Sequence, residues 1–204
     1  MESEDQRKVW DDIAEDWNKF KRTSDPKVVE FVSKAKGNLL DLGCGSGRNF
    51  SKTAAKIYGI DFSKEMIKYA EIKARDLGVR YDVLVGNTIN LPYEINFFDD
   101  AIAIAVLHCI EGSANRKKSI EELYRVLKVG SRVLIKVWNK DHKRFLKKPK
   151  EKYVKWLDKG ARYYYFYSED ELLKDLKDAG FKIISSSSRS GERTNDEIIV
   201  LAEK

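Results

Sequence analysis

The sequence predicts an α/β fold: a doubly wound, mostly parallel seven-stranded sheet, preceded by N-terminal helices and carrying a basic insertion after the fifth strand. Three observations carry that expectation. Strand-like and helix-like segments alternate from Asn38 to Trp138. One of those strands, Asp100–Leu107, reads Ala-Ile-Ala-Ile-Ala-Val-Leu after its aspartate, a fully apolar run suited to the middle of a parallel sheet. The first strand runs into a glycine-rich turn, Asp41-Leu-Gly43-Cys-Gly45-Ser-Gly47.

Each element follows from local signals. Val9, Trp10, Ile13, Trp17 and Phe20 recur at spacings of three and four, so residues 5–20 form an amphipathic helix. Pro26 opens a second helix behind an Asp25 cap. Asn38–Leu42 is the first strand, Arg48–Ala55 a helix, Ile57–Ile60 a strand, and Ser63–Leu77 a helix capped by Ser63. Arg80–Val85 is the third strand, at a sheet edge, and the apolar run is the fourth. Asn115–Leu127 is a helix stopped by Lys128-Val-Gly130, and Arg132–Trp138 is the fifth strand. Ser168 and Glu171 form a capping box for the helix Ser168–Ala179, which Gly180 ends. Phe181–Ser188 and Glu197–Ala202 close the sheet as a hairpin around Ser190-Gly191. One domain, 1–204, results: helices over 1–36, a core over 37–138, a basic insertion over 139–167, and a closing helix and strands over 168–204.

Charge is concentrated. The chain carries +6. Between Lys140 and Arg162 ten Lys/Arg face three Asp/Glu, a net +7, so the remainder carries 6 − 7 = −1. A local basic stretch points to a polyanion. Phe145, Tyr153 and Trp156 are interleaved in it, and aromatic rings stack on unpaired bases. The acidic start Met1–Asp5 offers no signal peptide, and no apolar run approaches the roughly 20 residues that span a bilayer. Two cysteines and two histidines argue against a disulfide framework or a zinc site, so no metal is expected and a cytoplasmic setting fits.

The glycine turn carries the chemistry. Glycines at alternate positions let the backbone approach a ligand, and a helix N-terminus beyond would offer N–H groups to an anion. Tyr58-Gly-Ile-Asp61 ends the next strand with an acid placed for a ribose diol. Dinucleotide sites favour G-x-G-x-x-G; here the run is D-x-G-x-G-x-G. S-adenosylmethionine carries no phosphate but has an ammonium, which suits Asp41, and a carboxylate, which suits the glycine amides. The run resembles the signature of the class I methyltransferases, which have a Rossmann-like fold. Gly86-Asn87-Thr-Ile-Asn90-Leu-Pro92 is similar to that superfamily's G-D-x-x-x-L-P, with Asn87 in place of the acid. Arg125-Val-Leu-Lys-Val-Gly130 is similar to its R-x-L-K-P-G-G turn. The resemblance implies S-adenosylmethionine as cofactor, held by Asp41, Gly43, Cys44, Gly45, Gly47, Asp61, Phe62, Asn87, Thr88 and Ala105.

More specific pieces point to one family. Trp10-Asp-Asp-Ile-Ala-Glu-Asp-Trp17 with Lys21-Arg22, the strand end Ile104–His108, the strand Val133–Trp138, and Arg162-Tyr-Tyr-Tyr-Phe-Tyr167 together resemble the tRNA wobble-uridine methyltransferases that esterify 5-carboxymethyluridine. Cys109 stands where that family has a second histidine, and Tyr165 where it has one after R-Y-Y. The resemblance implies methyl transfer to the carboxylate of a carboxymethyl-type uridine. A carboxylate is ionised at neutral pH and needs no general base, so the task is to position it. His108, Arg162 and Arg22 are the candidates to hold that anion. Lys21, Trp138, Lys143, Arg144, Lys147, Lys148, Tyr163 and Tyr164 are the candidates to hold the tRNA anticodon stem-loop around it. The resemblance also implies a small zinc-binding activator subunit docked near the edge strand 80–85. Two other readings stay open: a methyltransferase for a small molecule or protein, and a non-catalytic tRNA-binding module.

Overall fold

In the computed structural model, described for residues 5–20, 23–188 and 197–204, nine strands and five α-helices follow one another in chain order. Lys21 and Arg22 lie outside the described residues, as does the turn at Ser190-Gly191. Seven strands form the main sheet: β1 (Asn38–Leu42), β2 (Lys56–Asp61), β3 (Tyr81–Val85), β4 (Phe98–Ile104), β5 (Leu127–Trp138), β8 (Lys182–Ser188) and β9 (Glu197–Glu203). Their spatial order is β3-β2-β1-β4-β5-β9-β8. The first five run parallel, and β9 pairs antiparallel with both β5 and β8. The order reverses between β1 and β4, which opens a crevice at the C-terminal ends of those strands.

Alternation along β1 sorts its side chains. Leu40 and Leu42 join the core cluster that takes in Ile120 and Leu123 of α4 (Ser113–Val126) and Leu172 and Leu176 of α5 (Glu169–Asp178). Leu39 joins the opposite cluster, with Val28 and Val32 of α2 (Pro26–Lys34) and Ile67, Ala70 and Ala74 of α3 (Lys64–Leu77). Both faces of the sheet are thus covered, as an all-parallel centre requires. α1 (Gln6–Phe20) lies over the α3 end of the crevice, where Trp10, Ile13 and Ala14 pack on Met66. Asp11 locks that contact: its Oδ1 accepts from Ser63 Oγ at 2.6 Å and from Glu65 N at 3.1 Å. Ser63 caps α3 by accepting from Met66 N, and Asp25 caps α2 by accepting from Lys27 N. Ser168 accepts from Glu171 N, but the Glu171 carboxylate turns to Tyr165 and Lys150 instead of closing the capping box.

Three expected elements are corrected, and one segment has structure that the sequence did not announce. Arg48–Ala55 is not a helix. Gly43, Gly45 and Gly47 all take positive φ, and i→i+3 bonds from Gly47 N to Cys44 O and from Phe50 N to Gly47 O make successive turns. Beyond them Thr53 Oγ1 accepts from Ala55 N, so a side chain takes a donor that a helix would use. The fourth strand stops at Ile104, because Ala105 adopts φ +61° and turns the chain into a short 3-10 turn over Leu107–Cys109. The fifth strand begins at Leu127, earlier than expected. The basic segment has structure of its own: β6 (Glu151–Lys155) and β7 (Ala161–Tyr165) form an antiparallel hairpin. Gln6 ties this hairpin to α1, donating to Ala161 O and accepting from Tyr163 N.

Candidate active site

A cavity of about 380 Å³ opens at the β1/β4 crevice. Of the expected cofactor residues, Gly43, Cys44, Gly45, Asp61, Phe62, Asn87, Thr88 and Ala105 line it. A Cβ on Gly45 would meet no atom within 4 Å, so that glycine leaves open space against the loop backbone. A Cβ on Gly43 would stand 2.2 Å from Val106 Cγ2; here glycine lets β1 and β4 close up. Gly47 is buried behind the lining.

Two carboxylates define the polar side. Asp61 Oδ2 accepts from Gly45 N and Oδ1 accepts from Ser63 N, both at 2.9 Å, which fixes the acid at the cavity wall. Burial lifts its carboxyl to about 6, although those backbone N–H bonds pull the other way. Asp41 lies deeper and is fully buried, and neither of its oxygens makes a well-formed hydrogen bond, although the Asn49 side chain is near enough to favour its ionised form. Burial pushes its carboxyl up to about 8, against the pull of the nearby Arg48 guanidinium. An orphaned buried acid is costly unless a ligand group meets it. The Asn87 side chain accepts from Ile89 N and stiffens the far rim. Cys44 and Cys109 also line the cavity, and burial raises both thiols, so neither is a thiolate nucleophile.

The expected acceptor-side residues form a stacked column beside the cavity and do not line it. His108 is 1% exposed. Its Nδ1 accepts from Trp138 N at 3.1 Å, so the proton of the neutral ring sits on Nε2. Burial lowers its pKa to about 3, which makes it a neutral donor and not an imidazolium. Trp138 stacks on Tyr164 with centroids 4.5 Å apart, and on His108, Phe145 and Phe166. Arg162, expected as an exposed or acceptor-facing cation, is 6% exposed and caged. Its guanidinium lies 4.7 Å from the Trp156 ring centroid, 5.3 Å from Trp17 and 5.8 Å from Trp10, and donates to Tyr164 Oη at 2.6 Å. Trp10 and Trp17 line the cavity, so the cage and the cavity share a wall.

One substrate expectation fails. Tyr163 points away from this column: its hydroxyl accepts from Arg116 of α4, and its ring is buried in the main core. Side chains alternate along β7, so Arg162 and Tyr164 share one face and Tyr163 takes the other. Lys143, Arg144, Lys147 and Lys148 lie exposed on the turns after β5, around the Phe145 ring. Sequence reasoning missed Arg48, Asn49, Met66, Glu111 and Asn115 as lining residues. It quoted Trp10 and Trp17 only as family landmarks; their spacing of seven, two helical turns on one face, was the available signal.

Fold and cavity define a class I S-adenosylmethionine-dependent methyltransferase. The model of the methyltransferase domain family matches residues 40–135. A tRNA (carboxymethyluridine(34)-5-O)-methyltransferase of Arabidopsis thaliana is 39% identical over 64% of this chain and 32% of its own length, so the chain spans about a third of that relative. One of the same description from Schizosaccharomyces pombe is 30% identical over 85% of this chain and 76% of its own. A methyltransferase in a complex with the Haloferax volcanii Trm112 activator superposes with a TM-score of 0.74 at 16% identity, covering 98% of both chains, which speaks for the fold. The chain belongs to the methyltransferase family that includes the tRNA carboxymethyluridine methyltransferases. S-adenosylmethionine is its cofactor. The cavity fits it: an unpartnered buried acid for an ammonium, a glycine cradle and a ribose-side carboxylate. Among the described residues no helix is long and apolar enough to cross a membrane, and no cluster of His, Cys, Asp and Glu could hold a metal ion.

Proposed function

We propose that the protein methylates the carboxylate of a carboxymethyl-type wobble uridine in tRNA. The observation that carries this reading is a caged cation that shares its wall with the cofactor cavity. Arg162 is a desolvated guanidinium whose Nε has no hydrogen-bond partner, and it is flanked by rings on which a base could stack. S-adenosylmethionine, when bound, supplies an electrophilic methyl group. Asp61, Asp41 and the glycine loop fix the donor. Arg162, with His108 Nε2–H and Arg22 as further donors, aligns the acceptor carboxylate without protonating it. The exposed Lys143, Arg144, Lys147 and Lys148, with Trp138 and Tyr164 in the column beneath, present the anticodon stem-loop.

The same reading includes an activator partner. β3 is a sheet edge with Val85 42% exposed, and Ile72 of α3 is also exposed. Such an edge is open to strand pairing. A small zinc-binding subunit of the Trm112 type would cover it. The test is mass spectrometry of nucleosides from tRNA incubated with labelled cofactor, with and without that subunit. A labelled carboxymethyl ester at the wobble uridine is the expected product. Label only elsewhere, or none in either arm, overturns the reading.

A further inference from the structure

Arg116 of α4 is 4% exposed, yet it makes no ion pair to any described residue. Its hydrogen-bond and ring partners are all neutral. Nη1 donates to Ile110 O at 3.2 Å and to Tyr163 Oη at 3.1 Å, and the guanidinium lies 3.6 Å from the centroid of the Tyr165 ring. A buried charge with neutral partners is expensive to keep, and an apolar side chain would fill the place at less cost. What the arginine does is join two segments. Ile110 follows the 3-10 turn that carries His108, and it lines the cavity. Tyr163 and Tyr165 stand on the face of β7 opposite Arg162 and Tyr164. One guanidinium therefore reaches both the backbone of the cavity wall and the back of the strand whose front carries the caged cation. A second tie runs alongside: Tyr153 of β6 donates to Glu111 Oε1 at 2.6 Å. That contact is exposed, whereas the Arg116 contact to Tyr163 is buried.

We infer that Arg116 is a positioning residue: it holds β7 at a fixed place against the loop after β4, so that Arg162 meets the cavity wall in one orientation. The inference rests on the proposed role of Arg162 as partner of the acceptor carboxylate. Arg116 does not line the cavity, and it meets β7 from the face away from Arg162. It acts on the reaction only through Arg162 and Tyr164. Alternation explains how. A strand that rotates about its own axis moves both of its faces, so pinning Tyr163 Oη and the Tyr165 ring also fixes the direction of Arg162 and Tyr164. Tyr164 Oη in turn accepts from Arg162 at 2.6 Å, and the Tyr164 ring stacks on Trp138. A displacement of about 1 Å, even one caused far from the chemistry, costs on the order of 100-fold in rate. The Tyr163 hydroxyl, which takes no place in the acceptor column, thereby serves it: α4 grips the strand there.

A double-mutant cycle on the whole chain tests this, with and without a subunit of the Trm112 type. The substrate is tRNA carrying 5-carboxymethyluridine at the wobble position, and the readout is single-turnover transfer at saturating cofactor and tRNA. Arg116→Met should slow transfer on the order of 10- to 100-fold. It should leave the affinity for S-adenosylhomocysteine within about twofold. In an Arg162→Met background the same change should cost less than about twofold, because the group it positions is gone. Arg116→Lys can reach one of the two oxygens but not both, so it should recover part of the rate. Tyr163→Phe keeps the ring and removes only the hydroxyl; it should slow transfer by about 3- to 10-fold, and it carries the test if Arg116→Met does not fold. Unchanged transfer by either variant would overturn the inference. So would a loss of the same size with and without Arg162, or an equal loss of S-adenosylhomocysteine affinity, since Arg116 would then act on the whole cavity. Transfer at the wild-type rate by Arg162→Met would instead sink the role of Arg162, and the inference with it. A wild type that fails to methylate this tRNA in both arms would sink the proposed function.

Discussion

Replacing Arg162 by methionine separates its structural part from its chemical one. The substitution keeps an unbranched chain among the indoles of Trp10, Trp17 and Trp156 but removes the cation and the donor. The lost cation–π attraction is worth about 2 kcal/mol in a desolvated cage. Tyr164 Oη loses its donor, at a cost of roughly 1–3 kcal/mol. Against these stands the relief of burying a charge that no carboxylate among the described residues hydrogen-bonds, a cost of several kcal/mol for an ion taken out of water. The net loss of stability should be small, roughly 0–3 kcal/mol, which lowers Tm by at most about 12 °C in a chain of this size. Methyl transfer should suffer far more. Removing the partner of a desolvated anion costs about 3–5 kcal/mol, so kcat/KM for carboxymethyluridine tRNA should fall roughly 150- to 5000-fold. Single-turnover transfer, read beside the affinity for S-adenosylhomocysteine, is the assay. Transfer at wild-type rate by a folded variant would refute the chemical role and leave Arg162 as a packing residue.

The other predictions are more local. Asp11→Ala removes the acceptor for Ser63 Oγ and Glu65 N, so stability should drop by about 1 kcal/mol and cofactor affinity should weaken as α1 loosens from α3; thermal melts and calorimetry check both. Leu123→Ala should cost about 2–5 kcal/mol in urea unfolding, because its side chain is fully buried between α4 and the sheet. The folded pKa of His108, about 3, lies below the unfolded value near 6.5. Its contribution is therefore complete above pH 6.5 and is lost as pH falls towards 3, at up to about 1.4 kcal/mol per unit. His108→Gln should flatten that acid limb, and an unchanged limb would mean that other groups govern it. Finally, Lys143, Lys147, Lys148, Lys152 and Lys155 are exposed and make no ion pair to any described residue, so they supply five phosphate contacts at most. The logarithmic salt slope of tRNA affinity traceable to these five should be about −3.5 at its steepest, and a slope that stays the same when they are neutralised would remove them from RNA binding.

What the sequence revealed was what periodicity and caps encode. The doubly wound, mostly parallel sheet could be anticipated because strands and helices alternate and one strand is apolar throughout. The caps at Asp25, Ser63 and Ser168 were readable because a short polar side chain at a helix start has one local job. The misses occur where a backbone torsion overrides composition. Ala105, Val106 and Leu107 continue an apolar run, yet φ +61° at Ala105 ends the strand, and no side-chain pattern announces a left-handed alanine. Asn49 and Phe50 could sit in a helix, but successive glycine turns direct Phe50 into the core and Arg48 into the cavity.

The acceptor side was legible by residue type and illegible by place, and parity is the reason. Arg162, Tyr163 and Tyr164 are consecutive, so a strand must send one of them opposite to the other two. Which one depends on the register with β6, where Tyr153 opposes Tyr163 and Val154 opposes Arg162, and on Gln6 clasping Tyr163 N from α1. Neither contact is local. The same tertiary contacts revise the meaning of the basic stretch. Lys140 donates to the carbonyls of Phe145 and Leu146, Lys150 pairs with Glu171, Lys159 pairs with Asp16, and Arg162 goes into its cage. Of the ten basic residues between Lys140 and Arg162, Lys140 thus closes its own turn and three others hold the hairpin region against α1 and α5. A charge count taken as one RNA-binding surface divides into an exposed rim of lysines and a buried arginine whose cage shares Trp10 and Trp17 with the cavity wall. The two parts should respond differently: neutralising the rim should weaken tRNA binding in a salt-dependent way, whereas changing Arg162 should slow transfer at any salt.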